Sequence, residues 1–262
     1  MDMINTMKPK TLILRTAGTN CDVELAHAFE LAGAATQAVH LNQLVAEPAM
    51  LDDFDLLGLP GGFSYGDDIA AGRIFANRIR HALYPALRQF VAAGKPVIGI
   101  CNGFQLLVKA GLLPGFELPE GAPPQQVVTL TDNANPRFLD RWVALRAESE
   151  SVCIWTKELE SFDLPIAHGE GRFVAAPEVL DQLEAQRQVA LCYTDNPNGS
   201  QRDIAGVCDP TGLVFGLMPH PERYVHKTAH PTWTRLDLGS PAGLRFFTNA
   251  VEHVTRDASL TA

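Results

Sequence analysis

The sequence lacks any Cys-x-x-Cys pair, and its five cysteines (Cys21, Cys101, Cys153, Cys192 and Cys208) are scattered and odd in number. That argues against a disulfide framework or a zinc site and for a reducing compartment. Positive charge is scarce: 21 Lys and Arg face 30 Asp and Glu, for a net charge of −9. A nucleic-acid partner is therefore not expected, because phosphate binding needs a clustered basic surface. Long apolar runs are missing too. The most apolar stretch, 96–113, is broken by Asn102, Gln105 and Lys109, so no membrane association is expected. The opening MDMINTMKPK has no apolar core of the kind a secretory signal needs, which points to a cytoplasmic location. No Gly-x-x-x-x-Gly-Lys-Ser/Thr loop occurs, so any ATP-dependent step is expected on another chain.

What is present is an ordinary globular composition, 46% hydrophobic and 19% charged over 262 residues. Such a chain buries enough apolar surface to fold without staples. Short β-rich runs at 11–15, 36–41, 55–59 and 96–100 alternate with helical spacing. Leu25, Ala28, Phe29 and Ala32 predict a first helix stopped by Gly33. Phe75, Ile79, Leu83, Leu87, Phe90 and Val91 predict a long amphipathic helix over 71–94. This order predicts an α/β fold, a mostly parallel sheet flanked by helices. Beyond about residue 121 the pattern is less regular. Shorter, antiparallel-type strands are expected at 127–130, 142–145 and 152–155, further strands at 189–193, 204–208 and 213–217, the last two joined by a turn at 209–212, and a last helix over 241–254. No linker or repeat separates the halves, so residues 10–256 are expected to form a single domain, with 1–9 and 257–262 as tails.

The sharpest local feature is Gly99-Ile100-Cys101-Asn102-Gly103, between the apolar run 96–100 and a helical pattern. Gly-x-Cys-x-Gly is the cysteine form of a nucleophile elbow. The turn is so sharp that the central residue is strained and the residues two before and two after must be small. A helix N-terminus beneath such a side chain favours negative charge. A thiol nucleophile also needs a base and oxyanion donors. His220-Pro221-Glu222 can present an imidazole and its orienting carboxylate from one loop. His168, in Ala-His-Gly-Glu-Gly-Arg, is the serious rival as base, whereas His226 and His230 lie in a polar segment and read as solvated. Leu59-Pro60-Gly61-Gly62-Phe63-Ser64-Tyr65-Gly66-Asp67-Asp68 follows a predicted parallel strand, so it should open on the same sheet edge as Cys101. Backbone N–H groups of Gly61 or Gly62, together with that of Asn102, would form an oxyanion hole.

These motifs resemble those of the class I (triad) glutamine amidotransferases. Gly18-Thr19-Asn20-Cys21-Asp22 and His168-Gly169-Glu170-Gly171-Arg172-Phe173 narrow the likeness to the glutaminase subunits of phosphoribosylformylglycinamidine synthases, in purine biosynthesis. The likeness runs from about Lys10 to Val254. It departs at Ala17, where proline is expected, and in an extra segment over 223–240 with room for partner contacts. The resemblance implies a flavodoxin-like fold, Cys101 as nucleophile, His220 as proton carrier and Glu222 as its orienting group. It further implies that Phe63, Gln105 and His168 help bind L-glutamine. No metal or cofactor is expected on this chain; ATP and magnesium belong to a separate synthetase subunit, with or without a small accessory subunit. Two alternatives stand beside this: a stand-alone cysteine hydrolase or thiol-stress protein on a similar elbow, and a non-catalytic regulatory subunit.

Overall fold

Leu12, Ile13 and Leu14, fully buried, make β1 (Lys10–Arg15) a strand covered on both faces, and this first strand sets the sheet. The computed structural model describes residues 8–67, 73–116 and 123–260. The tail residues 1–7 and 261–262, Asp68 and the expected helix start at Ala71 lie outside them. α1 (Asp22–Leu31) buries Leu25, Ala28 and Phe29 at helical spacing, and β2 (Ala35–His40) then pairs parallel to β1. α2 (Leu41–Ala46) follows, its N-terminus capped by the His40 imidazole, and β3 (Leu56–Leu59) returns to the sheet.

The described part of the expected long helix is not one regular helix. α3 (Arg73–Arg78) passes through a π turn at Ile79–Leu83 into α4 (Tyr84–Ala92). Pro85 supplies the reason: it has no N–H for the carbonyl one turn earlier, so the hydrogen-bond register slips there. β4 (Val97–Ile100) is wholly buried and leads into α5 (Asn102–Ala110). β5 (Val128–Thr131) and β6 (Leu139–Ala147) follow.

The expected strand at 152–155 is not formed. That segment is a bend in which Trp155 is fully buried and donates its indole N–H to the Leu213 carbonyl at 2.9 Å. Its apolar residues fill the core from a turn, which composition cannot tell from a strand. β7 (Ser161–His168), β8 (Arg172–Ala175) and α6 (Pro177–Ala185) were not visible in the sequence pattern. β9 (Val189–Tyr193), β10 (Ile204–Cys208), β11 (Val214–Leu217) and α7 (Ala242–Leu260) complete the chain.

A nine-stranded sheet runs in the order β2-β1-β3-β4-β11-β10-β9-β6-β7, and β5 pairs with β8 in a small separate sheet. Pairings from β2 to β11 are parallel and those from β11 to β7 antiparallel, as the α/β reading expects. The register decides where the loops emerge. Leu59 pairs with Gly99, and Ile100 with Leu217, so the chain leaves β3, β4 and β11 at one edge. Gly216 locks α5 onto this edge, since a Cβ there would lie 2.1 Å from the Phe104 ring.

In the segment 223–240, Tyr224 and His230 pack edge-on against Trp142, with ring centroids 5.1 and 4.4 Å away. His230, read as solvated, is 6% exposed, because Trp142 offers it an aromatic wall; His226 is exposed as expected. Among the described residues no helix is long and apolar enough to cross a membrane.

Candidate active site

Cys101 sits between β4 and α5 with φ +52° and ψ −105°, a strained conformation for a residue with a Cβ. The sequence requirement for small neighbours has a direct structural cause. A Cβ on Gly103 would fall 2.0 Å from the Leu59 carbonyl oxygen, and one on Gly99 would fall 2.6 Å from that of Gly103. The Cys101 N–H donates to the Leu217 carbonyl (2.8 Å), and its Sγ lies 3.7 Å from the Ala167 carbonyl oxygen.

Because β11 is the parallel neighbour of β4, His220 leaves the sheet beside Cys101. Its backbone N–H donates to the Pro165 carbonyl (2.9 Å), and its Nδ1 meets Glu222 Oε1 at 2.6 Å. Both side chains are buried, at 1% and 2% exposure. Burial alone would lower the His220 pKa. The Glu222 carboxylate, together with Cys101 and Cys21, outweighs it and holds the imidazole well above its ordinary value. Nε2 makes no hydrogen bond within ordinary geometric limits, so the two sulfurs act on it at longer range.

Gly61 lies where space is least: a Cβ there would be 2.9 Å from His220 Cε1 and 3.5 Å from Cys101 Cβ. Its carbonyl accepts from the N–H groups of Asn20 (3.3 Å) and Cys21 (3.4 Å). The Gly61–Gly62 peptide is thereby fixed, with the Gly62 N–H pointing the opposite way within the peptide plane. Gly62 itself has φ +135°, and a Cβ there would meet the Gly18 carbonyl oxygen at 2.7 Å. Asn102 opens α5, where no carbonyl within the helix reaches its N–H.

A cavity of about 330 Å³ lies over Cys101 and His220. Gln105, Phe63 and His168, expected at the substrate, all line it. Gln105 is oriented from both ends, accepting from Asn102 Nδ2 (3.1 Å) and donating to the Glu170 carbonyl (2.7 Å). Phe63 is half exposed, its ring 6.4 Å from that of Phe138 at the cavity mouth. His168 reaches the site from the end of β7 and is held at Nδ1 by Asn133 Oδ1 (3.1 Å). Burial, and then the charge of His220, lowers its pKa to about 4, so it is neutral near neutral pH and lacks a carboxylate partner like Glu222.

Some residues in or beside the cavity have no role that the sequence assigns. Cys21, part of the Gly-Thr-Asn-Cys-Asp turn, lines the same cavity as Cys101. Arg223 follows Glu222 and donates to Cys21 Sγ at 3.1 Å. Asn133, which orients His168, lies in an irregular stretch that carries no motif. The first two sit inside recognisable motifs, but only the fold shows that loops 202 positions apart meet.

The CobB/CobQ-like glutamine amidotransferase domain matches residues 8–254. The chain belongs to that family. A phosphoribosylformylglycinamidine synthase subunit PurQ from Dehalococcoides mccartyi is 46% identical over 94% of this chain and 97% of its own. A protein of the same name from Methanococcus maripaludis is 40% identical over 95% of this chain and 98% of its own. A chain in the structure of PurLQS from Thermotoga maritima superposes with a TM-score of 0.73 at 34% identity, covering 94% of this chain and 99% of that one. In this chain the Gly-x-Cys-x-Gly turn and the His-Pro-Glu loop follow adjacent strands at one sheet edge.

Proposed function

We propose that this chain is the glutaminase subunit of a phosphoribosylformylglycinamidine synthase, producing ammonia for a separate synthetase subunit. The observation that carries the reading is the 46% identity to a PurQ subunit over nearly the whole of both chains. The relatives do not favour the stand-alone cysteine hydrolase.

In this reading Cys101 Sγ attacks the side-chain amide carbon of L-glutamine. The carbonyl oxygen becomes an oxyanion held by the N–H groups of Gly62 and Asn102, with Gly61 leaving room for it. The carbon–nitrogen bond then breaks as His220 passes a proton to the departing ammonia. The raised imidazole pKa suits that donation, and Glu222 holds the ring in position. Water attacks the remaining thioester, releasing glutamate and restoring the thiol. Gln105, Phe63 and His168 contact the substrate, since all three line the cavity. Residues 10–256 act as one domain, a reading supported by the sheet that joins β2 near the N-terminus to β11 near the C-terminus. ATP, Mg²⁺ and formylglycinamide ribonucleotide bind the synthetase, and the site works in the cytoplasm without a metal or cofactor of its own.

The test is synthesis by the reconstituted complex with either glutamine or ammonium as nitrogen source. Cys101→Ala is expected to abolish the glutamine-dependent rate and to leave the ammonium-dependent rate intact. Loss of both rates in a folded complex, or survival of the first, would overturn the reading.

A further inference from the structure

The wall of the cavity over Cys101 carries charge of both signs. Asp140 comes from β6 and Glu170 from the turn after β7, whereas Arg223 comes from the His-Pro-Glu loop. Among the described residues Arg223 is the only Lys or Arg that lines the cavity. The two histidines there add no unmatched positive charge. His168, with a pKa of about 4, is neutral near neutral pH, and His220 is matched by Glu222 at 2.6 Å.

Arg223 has no such match. Among the described residues no carboxylate oxygen lies within 4.0 Å of its guanidinium, which donates to Cys21 Sγ at 3.1 Å. A guanidinium is charged at any pH a protein meets, and its planar fork presents several N–H donors, so the contact with one sulfur leaves most of the fork open. That contact also fixes where the fork stands. Cys21 Sγ lies within 4.8 Å of a His220 ring nitrogen, so the guanidinium stands beside the reacting groups, on a wall that substrate must pass.

We propose that Arg223 binds the α-carboxylate of glutamine and makes the site select α-amino acid amides over simple primary amides. The inference rests on the reading of the chain as a glutaminase. Glutamine carries a carboxylate and an ammonium group at the end remote from the amide that Cys101 attacks. The carboxylate takes the open edge of the fork through charge-assisted N–H···O bonds. Asp140 and Glu170, on other elements of the wall, offer the opposite sign to the ammonium group. Neither charge changes as the amide reacts, so the contact with Arg223 is equally strong in the ground and transition states. It therefore acts on KM and leaves kcat alone.

The experiment measures ammonia release by the reconstituted complex from three amides. L-Glutamine has both charged groups, glutaramate keeps the carboxylate but lacks the amine, and γ-aminobutyramide keeps the amine but lacks the carboxylate. In Arg223→Met the KM for glutamine and for glutaramate is expected to rise about 10- to 100-fold, the range for losing a charge-assisted pair, with kcat little changed. Turnover of γ-aminobutyramide should be the same in the variant as in the wild type. Arg223→Lys, which keeps the charge and loses the fork, should recover part of the affinity. Thermal melts establish that both variants are folded. An equal loss on all three amides would overturn the proposal, as would a fall in kcat with KM unmoved. Absence of glutamine hydrolysis by the wild-type complex would defeat the glutaminase reading and this proposal together. Normal wild-type turnover with unaltered selectivity in Arg223→Met would defeat this proposal alone.

Discussion

A methyl group at position 61 would lie 2.9 Å from His220 Cε1, 3.3 Å from Cys21 Sγ and 3.5 Å from Cys101 Cβ. Gly61 is not among the positive-φ residues, so Gly61→Ala adds bulk without straining the backbone. Non-bonded carbons rest about 3.5 Å apart or further, so the imidazole edge must retreat by roughly 0.6 Å. It cannot do so freely, because Nδ1 is held by Glu222 at 2.6 Å and the backbone N–H by Pro165 at 2.9 Å. Reacting groups tolerate misplacement of about 0.5 Å, and an error near 1 Å costs about 10²-fold. Gly61→Ala is therefore expected to lower kcat about 10- to 100-fold with KM little changed. Overpacking by one methyl costs about 1–3 kcal/mol, so the chain should remain folded with a Tm reduced by several degrees. Glutamate release by the complex, beside a thermal melt of the same preparation, reads both quantities. Wild-type turnover in the folded variant would refute the close packing of His220 on position 61, and a rate loss that merely tracked unfolding would refute the argument from displacement.

Glu222→Gln removes the carboxylate that raises the His220 pKa. Turnover should fall about 10²- to 10⁴-fold, and its alkaline limb should move to lower pH, since the imidazole then loses its proton earlier; a pH–rate profile with an unmoved limb would contradict this. His168 titrates near 6.5 when unfolded and at about 4 when folded, with burial the main cause, so the unfolded chain binds more protons between those values. Its contribution to stability is complete above pH 6.5 and declines as pH falls towards 4, by about 3 kcal/mol at roughly 1.4 kcal/mol per unit. Denaturant titrations of wild type and His168→Gln across that range should diverge by about that amount in pH dependence. Gly103→Ala would bring a Cβ to 2.0 Å from the Leu59 carbonyl oxygen, a backbone atom that cannot rotate away. A loss of about 3 kcal/mol or more is expected in chemical denaturation, and a near-neutral change would show that the elbow is looser than described.

The amino-acid order alone determined the parallel half of the molecule. Runs such as Leu12–Ile13–Leu14 and Val97–Ile98 are apolar on both faces, as a central strand requires, so β1, β3 and β4 were legible, as was α1; α2 was not, and the helix expected over 71–94 is interrupted by a π turn. The elbow was legible for the same reason: glycines at 99 and 103 are demanded by contacts within a few residues or with the adjacent strand. The stretch from β6 to β8 was harder to read because its strands are half exposed and their partners are set by the tertiary fold. β7 alternates Phe162, Leu164 and Ile166 with Ser161, Asp163 and Pro165. A proline inside the run argues against a strand, yet β7 pairs with β6 along its whole length. Trp155 filled the core from a bend, and His230 was buried by Trp142, a contact that local spacing does not encode.

The active-site residues divide in the same way. Cys101, His220 and Glu222 announced themselves because each sits in a short motif whose chemistry needs neighbouring residues. Their meeting was decided only by the pairing of β4 with β11, which places loops more than a hundred positions apart on one edge. Tertiary structure also decided what sequence could not assign: that Cys21 and Arg223 stand in the same cavity, 3.1 Å from each other. A side chain's partners across the sheet depend on strand order and register, and these are set by the packing of the whole chain rather than by the residues beside it.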